Sequence, residues 1–123
     1  MKVRNAAVII FAIILLGLGI FEIIYVNKSL KNFEKQLDEI VNGEMPFAIE
    51  KVEETAKWLD KNGEMLVFFV PHAKITEITA TYHEMYGAVL DGDLSTSIAL
   101  AYRLMEMSRG LRCMFEFSIQ NIL

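Results

Sequence analysis

Residues 6–26 read AAVIIFAIILLGLGIFEIIYV, and this stretch decides the fold. Glu22 is the single ionisable residue among these 21. A helix of that length, rising 1.5 Å per residue, extends about 31 Å and matches the hydrocarbon core of a bilayer, roughly 30 Å. Only a helix can pair all of its backbone N–H and C=O groups within such a segment. The stretch therefore predicts a transmembrane helix.

A cleaved signal peptide is the alternative for an apolar run near an N-terminus. Such a peptide has an apolar region of roughly 7–15 residues that ends at a cleavage site of small residues. The run here is longer, and it ends in Ile-Tyr-Val-Asn-Lys at residues 24–28, without an Ala-x-Ala pattern. Tyr25 and Lys28 suit the membrane interface, as an aromatic side chain and a headgroup contact. We therefore expect an uncleaved anchor.

Positive charges flank the anchor on both sides in almost equal number. Lys2 and Arg4 precede it, and Lys28, Lys31 and Lys35 follow it. The short leader concentrates its charge directly beside the span, which favours a cytoplasmic N-terminus and a helical domain outside the cell membrane. No other stretch approaches the roughly 18 uninterrupted apolar residues that a span needs, so we expect a single-pass protein.

The domain beyond the anchor is acidic. Residues 27–123 carry 10 Lys and Arg against 15 Asp and Glu, so the domain lacks the basic surface that nucleic-acid binding requires. Cys113 is the only cysteine, which excludes an intrachain disulfide. No general base is identifiable beside it in the sequence, and we expect a buried, structural thiol.

Apolar residues recur at spacings of three and four along this domain, which predicts helices throughout. The first series continues the anchor as one helix until Asn42-Gly43 stops it. The second predicts one helix over residues 46–69, with Pro46 in its first turn and Gly63 allowing close approach of a neighbour. The two series are Ile23, Val26, Leu30, Phe33, Leu37 and Ile40, and Met45, Ile49, Val52, Ala56, Leu59, Gly63, Leu66 and Val70.

Two further helices complete the domain. Pro71 separates the second helix from the third, and Asp91-Gly92-Asp93 makes the next turn, with Asp93 as the N-cap of the last helix. The last helix is apolar on two faces, so we expect it to be the most buried and to pack against both neighbours. The third series is Ile75, Ile78, Tyr82, Met85 and Val89, and the last helix carries Leu94, Ile98, Ala101 and Met105 on one face and Leu100, Leu104, Met107, Leu111 and Met114 on the other.

These patterns predict an all-α fold. An N-terminal transmembrane helix continues into a small antiparallel helical bundle or into stacked helical hairpins. The chain divides into a leader and anchor, residues 1–26, and a helical domain, residues 27–123. We expect the helices of that domain at about residues 27–41, 46–69, 72–90 and 94–120.

The chain offers no catalytic, cofactor-binding or metal-binding signature. His83-Glu84 begins like the HExxH motif of zinc proteases, but Gly87 stands where the second histidine is needed. His72 and His83 are 11 residues apart, which is about 16 Å along a helix and too far to share a metal ion. We therefore expect neither catalysis nor a cofactor.

Three residues are candidate contacts with a partner. Glu22 is a carboxylate within the span, where ionisable residues are rare and often mark contacts inside the bilayer, or it reaches the headgroups from its place near the end. Trp58 lies one step off the second series and either covers the neighbouring helix or marks a partner surface. His72 follows Pro71 at a hairpin tip. Core filling is the role we expect for the methionines near the series, which are Met45, Met65, Met85, Met105, Met107 and Met114.

Residues 58–123 resemble a bacterial domain-of-unknown-function family, forty-three sixty-three. The similar features are Trp58 with the apolar run to Phe69, His72, the Gly92-Asp93 turn followed by Ile98-Ala99-Leu100, and the closing Asn121-Ile122-Leu123; the exit GLGIFEIIYVNKS at residues 17–29 is also similar. The resemblance implies a short protein of spore-forming Gram-positive bacteria, with an N-terminal anchor ahead of a helical domain. It implies no reaction and no catalytic residues.

Together these features favour a membrane-anchored helical interaction or accessory module that is not an enzyme. We expect the lipid bilayer and another membrane protein as its partners. The alternative is an extracytoplasmic ligand-sensing domain that acts through a partner membrane protein. A concave polar pocket would favour the sensor, and an exposed apolar groove would favour the interaction module.

Overall fold

Four α-helices make up the part of the chain that the structure describes, which is residues 2–122, with side chains to Phe117. This structure is a computed structural model. The predicted all-α fold is confirmed, since residues 2–122 contain no strand. The helices are α1 (Lys2–Asn42), α2 (Ile49–Leu66), α3 (His72–Leu90) and α4 (Leu94–Ile122).

α1 is one unbroken helix of 41 residues that contains the predicted anchor and continues into the bundle. The predicted stop is confirmed, because α1 ends at Asn42 and a Cβ atom at Gly43 would overlap the backbone carbonyl of Glu39. The apolar series of its second half is covered by the other helices from Val26 onward. Its buried members are Val26, Leu30, Phe33, Leu37 and Ile40.

The prediction that Pro46 lies in the first turn of the second helix is wrong, because residues 43–48 form a separate loop. α2 begins at Ile49. Pro46 instead occupies the second position of a turn, which a hydrogen bond from Ala48 N to Met45 O closes over 3.2 Å. Proline suits that position because its fixed φ matches the turn.

Phe47, at the third position of this turn, has a φ of 55°, as a type II turn requires. Phe47 is buried, and its N–H donates to the carbonyl of Ile40 over 2.9 Å, so packing and a hydrogen bond hold the rare conformation. The turn also displaces the start of the second apolar series. Met45 and Ile49 are exposed, and the buried part of the series begins at Val52.

α2 passes through Gly63 without a break and ends at Leu66, three residues earlier than predicted. Residues 67–70 form turns instead, because the residue before a proline avoids helical geometry and Pro71 follows. Gly63 is buried facing α3, and a Cβ atom there would lie 3.7 Å from Cγ2 of Ile75. That distance is an ordinary van der Waals contact, so the site has room for a methyl group.

The helices form an antiparallel bundle in which each packs against two others, in the order α1, α2, α3, α4 and back to α1. The direction of α2 follows from two contacts with α1. Lys51 pairs with Glu39 at 2.9 Å, and Phe69 meets Tyr25 with ring centroids 5.7 Å apart. The short loops make the remaining neighbours antiparallel as well, and this closed order is that of an up-down-up-down bundle.

Tyr82 joins the core across the bundle. Its ring is fully buried beside Phe33, with centroids 6.1 Å apart, and its hydroxyl donates to the carbonyl of Val52 over 2.6 Å. Burial raises the pKa of Tyr82 above its ordinary value, so the phenol stays a neutral donor. This hydrogen bond satisfies a polar group that would otherwise destabilise the interior.

The buried face of α4 lies between the two apolar faces that the sequence suggests. Its members follow alternating spacings of four and three, and two of them are serines. Leu94 and Met114 are exposed, so the two predicted faces reach the core only in part. The buried residues are Ser97, Ala101, Leu104, Ser108 and Leu111.

The prediction of a buried Cys113 is wrong, because the thiol is exposed. Cys113 lies two residues beyond Leu111, which turns it about 200° around the helix and away from the core. The prediction for the methionines is also wrong in part. Met85 is buried and Met105 and Met107 are half-buried, but three are exposed, namely Met45, Met65 and Met114.

Candidate functional site

The N-terminal half of α1 presents an apolar surface on every side. Among the described residues, α1 is the one helix long enough and apolar enough to cross a membrane, judged by length and composition alone. None of its most apolar window is buried. The exposed large apolar side chains before Tyr25 are Val3, Val8, Ile9, Ile10, Phe11, Ile13, Ile14, Leu15, Leu16, Leu18, Ile20, Phe21 and Ile24.

The bundle has two ends that differ in their distance from this apolar half. The contact between Tyr25 and Phe69 brings the α2–α3 loop, residues 67–71, next to the point where the apolar half of α1 ends. We call this the anchor end. The opposite end, with the loops at residues 43–48 and 91–93, is the far end.

A polar cluster between α1 and α4 links the two helices inside the bundle. Arg112 donates to Glu34 through Nε over 2.6 Å and through Nη2 over 2.9 Å, which is a bidentate pair. The Ser108 hydroxyl lies 3.0 Å from the same carboxylate and 3.2 Å from the carbonyl of Leu30. The side chains of the ion pair are only 17% and 14% exposed.

This cluster has a structural role. The hydrogen bonds that Arg112 donates to Glu34 raise the pKa of Arg112, so its guanidinium stays charged. A bidentate pair has a strict geometry, and it therefore sets the register of α4 along α1. The cluster was missed at the sequence level. The sequence contains a signal for this cluster. Ser108 belongs to the regularly spaced positions 97, 101, 104, 108 and 111, and it lies four residues before Arg112.

The three candidate partner contacts do not form one site. Glu22 is half-buried on α1, one turn before Val26 and on the same face. Trp58 is half-buried and stacks on Phe33, with ring centroids 6.0 Å apart and planes 4° apart. Since Phe33 lies 11 residues beyond Glu22, Trp58 is about 16 Å farther from the anchor along α1.

His72 is exposed at the start of α3, at the anchor end. Its Nδ1 lies 3.2 Å from the hydroxyl of Thr76, one turn along the same helix. This local hydrogen bond leaves the rest of the ring at the surface. Trp58 thus packs within the bundle. His72 lies at the anchor end, and Glu22 lies in the apolar half of α1.

A shallow groove of about 280 Å³ runs between α3 and α4. Its floor is apolar, with Ile78 and Leu111, and its rim carries Lys74, Glu77 and Glu106. In the part of the chain with described side chains, no group of three or more His, Cys, Asp and Glu residues is placed to hold a metal ion. Among the residues with described side chains, the groove thus combines an apolar floor with charged edges.

No protein-family model, no curated protein and no solved structure matches this chain. The resemblance to family forty-three sixty-three therefore stays a prediction. Function is argued below from the geometry of the chain itself.

Proposed function

We propose that this chain is a single-pass membrane protein whose helical bundle is a non-enzymatic interaction or accessory module. One observation carries the proposal, the division of α1 into an apolar half that is exposed on every side and a second half that is a core helix of the bundle. An exposed apolar surface of that extent is stable in lipid and not in water.

Continuity of α1 has a mechanical consequence. Because the helix has no break between residues 2 and 42, the bundle is joined to the span without a flexible linker. The N-terminus lies in the cytoplasm and the bundle outside, in agreement with the charges of the leader. The partners are the bilayer and a second membrane protein, which meets the module close to the membrane surface.

Anchoring is tested by extraction of membranes with alkaline carbonate. The full-length protein is expected in the membrane pellet, and detergent is expected to release it. A soluble fraction after carbonate, or a mature form that lacks residues 1–26, would contradict the proposal. External protease added to spheroplasts tests the orientation, since it should digest the bundle before lysis. Digestion only after lysis would place the bundle in the cytoplasm.

Glu22 is the proposed point of contact with the partner protein. Its carboxylate is half-buried and lies within the proposed span, where an ionisable group favours a polar contact with a neighbouring helix. The test is affinity capture of the full chain from membranes, comparing wild type, Glu22→Leu and the control Phe21→Leu. Glu22→Leu should insert normally and lose the co-purifying membrane protein, while the control keeps it. Retention by both variants would show that Glu22 only reaches the headgroups.

A ligand-sensing module is the second candidate function. The charged rim of the groove between α3 and α4 supports it, whereas the apolar floor of the groove supports the interaction module. Small-molecule sites are concave and mostly apolar, with a few placed polar groups. Lys74 and Glu77 at the rim are the polar groups available here. Ligand-dependent chemical-shift changes confined to Ile78, Leu111 and their neighbours, from a screen of metabolites, would support the sensor over the interaction module.

A further inference from the structure

The end of α2 and the α2–α3 loop form a continuous apolar segment, part of which is exposed. Residues 65–71 read MLVFFVP, seven residues without a charge. Phe68 is 81% exposed, Met65 is 50% exposed and Val67 is 38% exposed. Leu66, Phe69 and Val70 face the bundle, so the loop holds one set of apolar side chains in the core and turns the other set outward.

The position of this loop brings it to the membrane surface. Phe69 packs against Tyr25, and Tyr25 is the last residue but one of the apolar stretch 6–26. The loop is therefore level with the final turn of the proposed span. Phe68, next to Phe69, is exposed at the same level.

α4 brings a second apolar side chain to this level. Ser108 pairs with the carbonyl of Leu30, and the two helices are antiparallel. Nine residues farther along α4, about 14 Å toward the anchor, Phe117 is level with Phe21. Phe117 is 64% exposed, and Phe21 lies within the apolar stretch.

Basic residues lie where lipid headgroups would be. Lys28 follows Tyr25 by less than one turn of α1, and Lys74 lies in the first turn of α3. Both are exposed. Glu64, which is also exposed, directly precedes the apolar segment. An apolar tip with lysines nearby is the pattern of a segment that enters the interface of a bilayer with anionic lipids.

The far end differs in the arrangement of its apolar residues. Leu90 and Leu94 are about as exposed as Met65, at 56% and 57%. Asp91 and Asp93 lie between them, so the far end combines apolar side chains with carboxylates. Anionic headgroups repel such a surface, which makes the far end a matched comparison for the anchor end.

We propose that the α2–α3 loop is a second membrane contact, with Phe68 and Val67 inserted into the interface of the bilayer that α1 spans. The proposal rests on the proposed function, because the loop can reach only a membrane that holds the anchor. Two separate contacts fix the tilt of the bundle, which a single helix leaves free to vary. The face presented to a partner is then set by the bilayer as well as by α1.

The test measures immersion depth with nitroxide labels on the full chain, in nanodiscs that contain anionic lipid. Single cysteines replace Phe68, Leu94 and Leu15 in a Cys113→Ser background. Leu94 is the control for an exposed apolar residue at the far end, and Leu15 reports on the anchor. The readout is the ratio of label accessibility to oxygen, which concentrates in lipid, over that to a water-soluble nickel chelate.

The expected result is a ratio at position 68 that is several-fold higher than at position 94 and closer to that at position 15. A ratio at 68 equal to that at 94, with 15 still immersed, would overturn the second contact and leave the anchor intact. Low accessibility to both reagents at 68 would overturn it in favour of cover by protein. A water-exposed label at 15 would overturn the proposed function itself.

Discussion

The two halves of α1 are continuous in the backbone and opposite in their surroundings. From Val3 to Ile24, large apolar side chains are exposed on every side of the helix. From Val26 to Ile40, one apolar stripe is almost completely covered by α2 and α4. The difference comes from the side chains on the other faces of the helix. Those side chains are apolar in the first half of α1 and charged or polar in the second half.

The two halves of this helix therefore differ in the surroundings that would stabilise them. A helix that is apolar on all sides requires a surrounding apolar phase, whereas an amphipathic helix requires only neighbours on one side. The transition occurs within one turn, around residues 25–28, where Tyr25 contacts the bundle and Lys28 is exposed. Four predictions test this contrast and the packing of the bundle, in order of decreasing effect.

Leu37→Ala should lower the free energy of unfolding of the bundle by about 3 kcal/mol, because it removes a fully buried side chain and leaves a cavity. Leu15→Ala makes the same change in the exposed half of α1 and should leave bundle stability unchanged. Both are measured by chemical denaturation of the full chain in mild detergent micelles, followed by circular dichroism. Equal effects would mean that the two halves do not differ as described.

Glu34→Gln should lower the free energy of unfolding by about 2 kcal/mol, the range of hydrogen bonds to charged groups. It leaves the guanidinium of Arg112, which is 17% exposed, with only the more distant Glu116, at 3.9 Å, as an anionic partner. Lys51→Gln breaks the ion pair with Glu39, whose two side chains are 36% and 45% exposed, and should have little effect. The same denaturation measurement compares the two variants. A larger loss of unfolding free energy for Lys51→Gln than for Glu34→Gln would contradict the deeper burial of the Glu34–Arg112 pair.

Gly43→Ala and Gly63→Ala should change stability in opposite directions. At Gly63 a methyl group fits at van der Waals distance from Ile75, so alanine should stabilise α2 by about 1 kcal/mol through its higher helix propensity. At Gly43 the same methyl group meets the carbonyl of Glu39, so alanine should be destabilising. Thermal unfolding midpoints give the signs, and the same sign for both variants would refute the packing described at one of the two sites.

Asp93 should make a small pH-dependent contribution at the far end. Its carboxylate accepts from the Thr96 hydroxyl over 2.6 Å and from the Thr96 N–H over 3.1 Å, which confirms the predicted N-cap. These hydrogen bonds lower the pKa of Asp93. The stabilisation is therefore complete above the pKa of the unfolded state and is lost as the pH falls through the lower folded-state pKa.

The control for this prediction is Asp93→Asn, which keeps a capping side chain and removes the titration. Wild type should lose stability relative to Asp93→Asn as the pH falls through this window. Unfolding midpoints measured in parallel across acidic pH give the difference. A difference that stays constant with pH would show that the carboxylate is not stabilised by Thr96.

Several features of the fold were predictable because they depend on neighbours in the sequence. The period of the helix predicts the apolar series from Val26 to Ile40. Local geometry predicts the stop at Asn42-Gly43 and the N-cap at Asp93. The turn at Pro46 was not predictable in the same way. Proline is compatible with both a first helical turn and a type II turn, and the buried ring of Phe47 decides between them.

The candidate site was less predictable, since its residues meet across the bundle. Glu34 is more than 70 positions away from both Ser108 and Arg112, and no local rule pairs it with them. For Trp58 the sequence favoured cover of the neighbouring helix over a partner surface, and its stacking on Phe33 supports packing within the chain. Cys113 is exposed because another face of α4 packs against the core. That face contains two buried serines, so a pattern of apolar residues does not identify it.

The sequence by itself determined the all-α class, the apolar stretch at residues 6–26 and the helical continuation beyond it. Those properties depend on composition and on a period of 3.6 residues, which are present in the chain before it folds. Tertiary structure alone decided which face of α4 is buried, the pairing of Glu34 with Arg112, and the placement of Phe68 beside the end of the apolar stretch. These depend on contacts between distant segments, which form only when four amphipathic helices pack against one another.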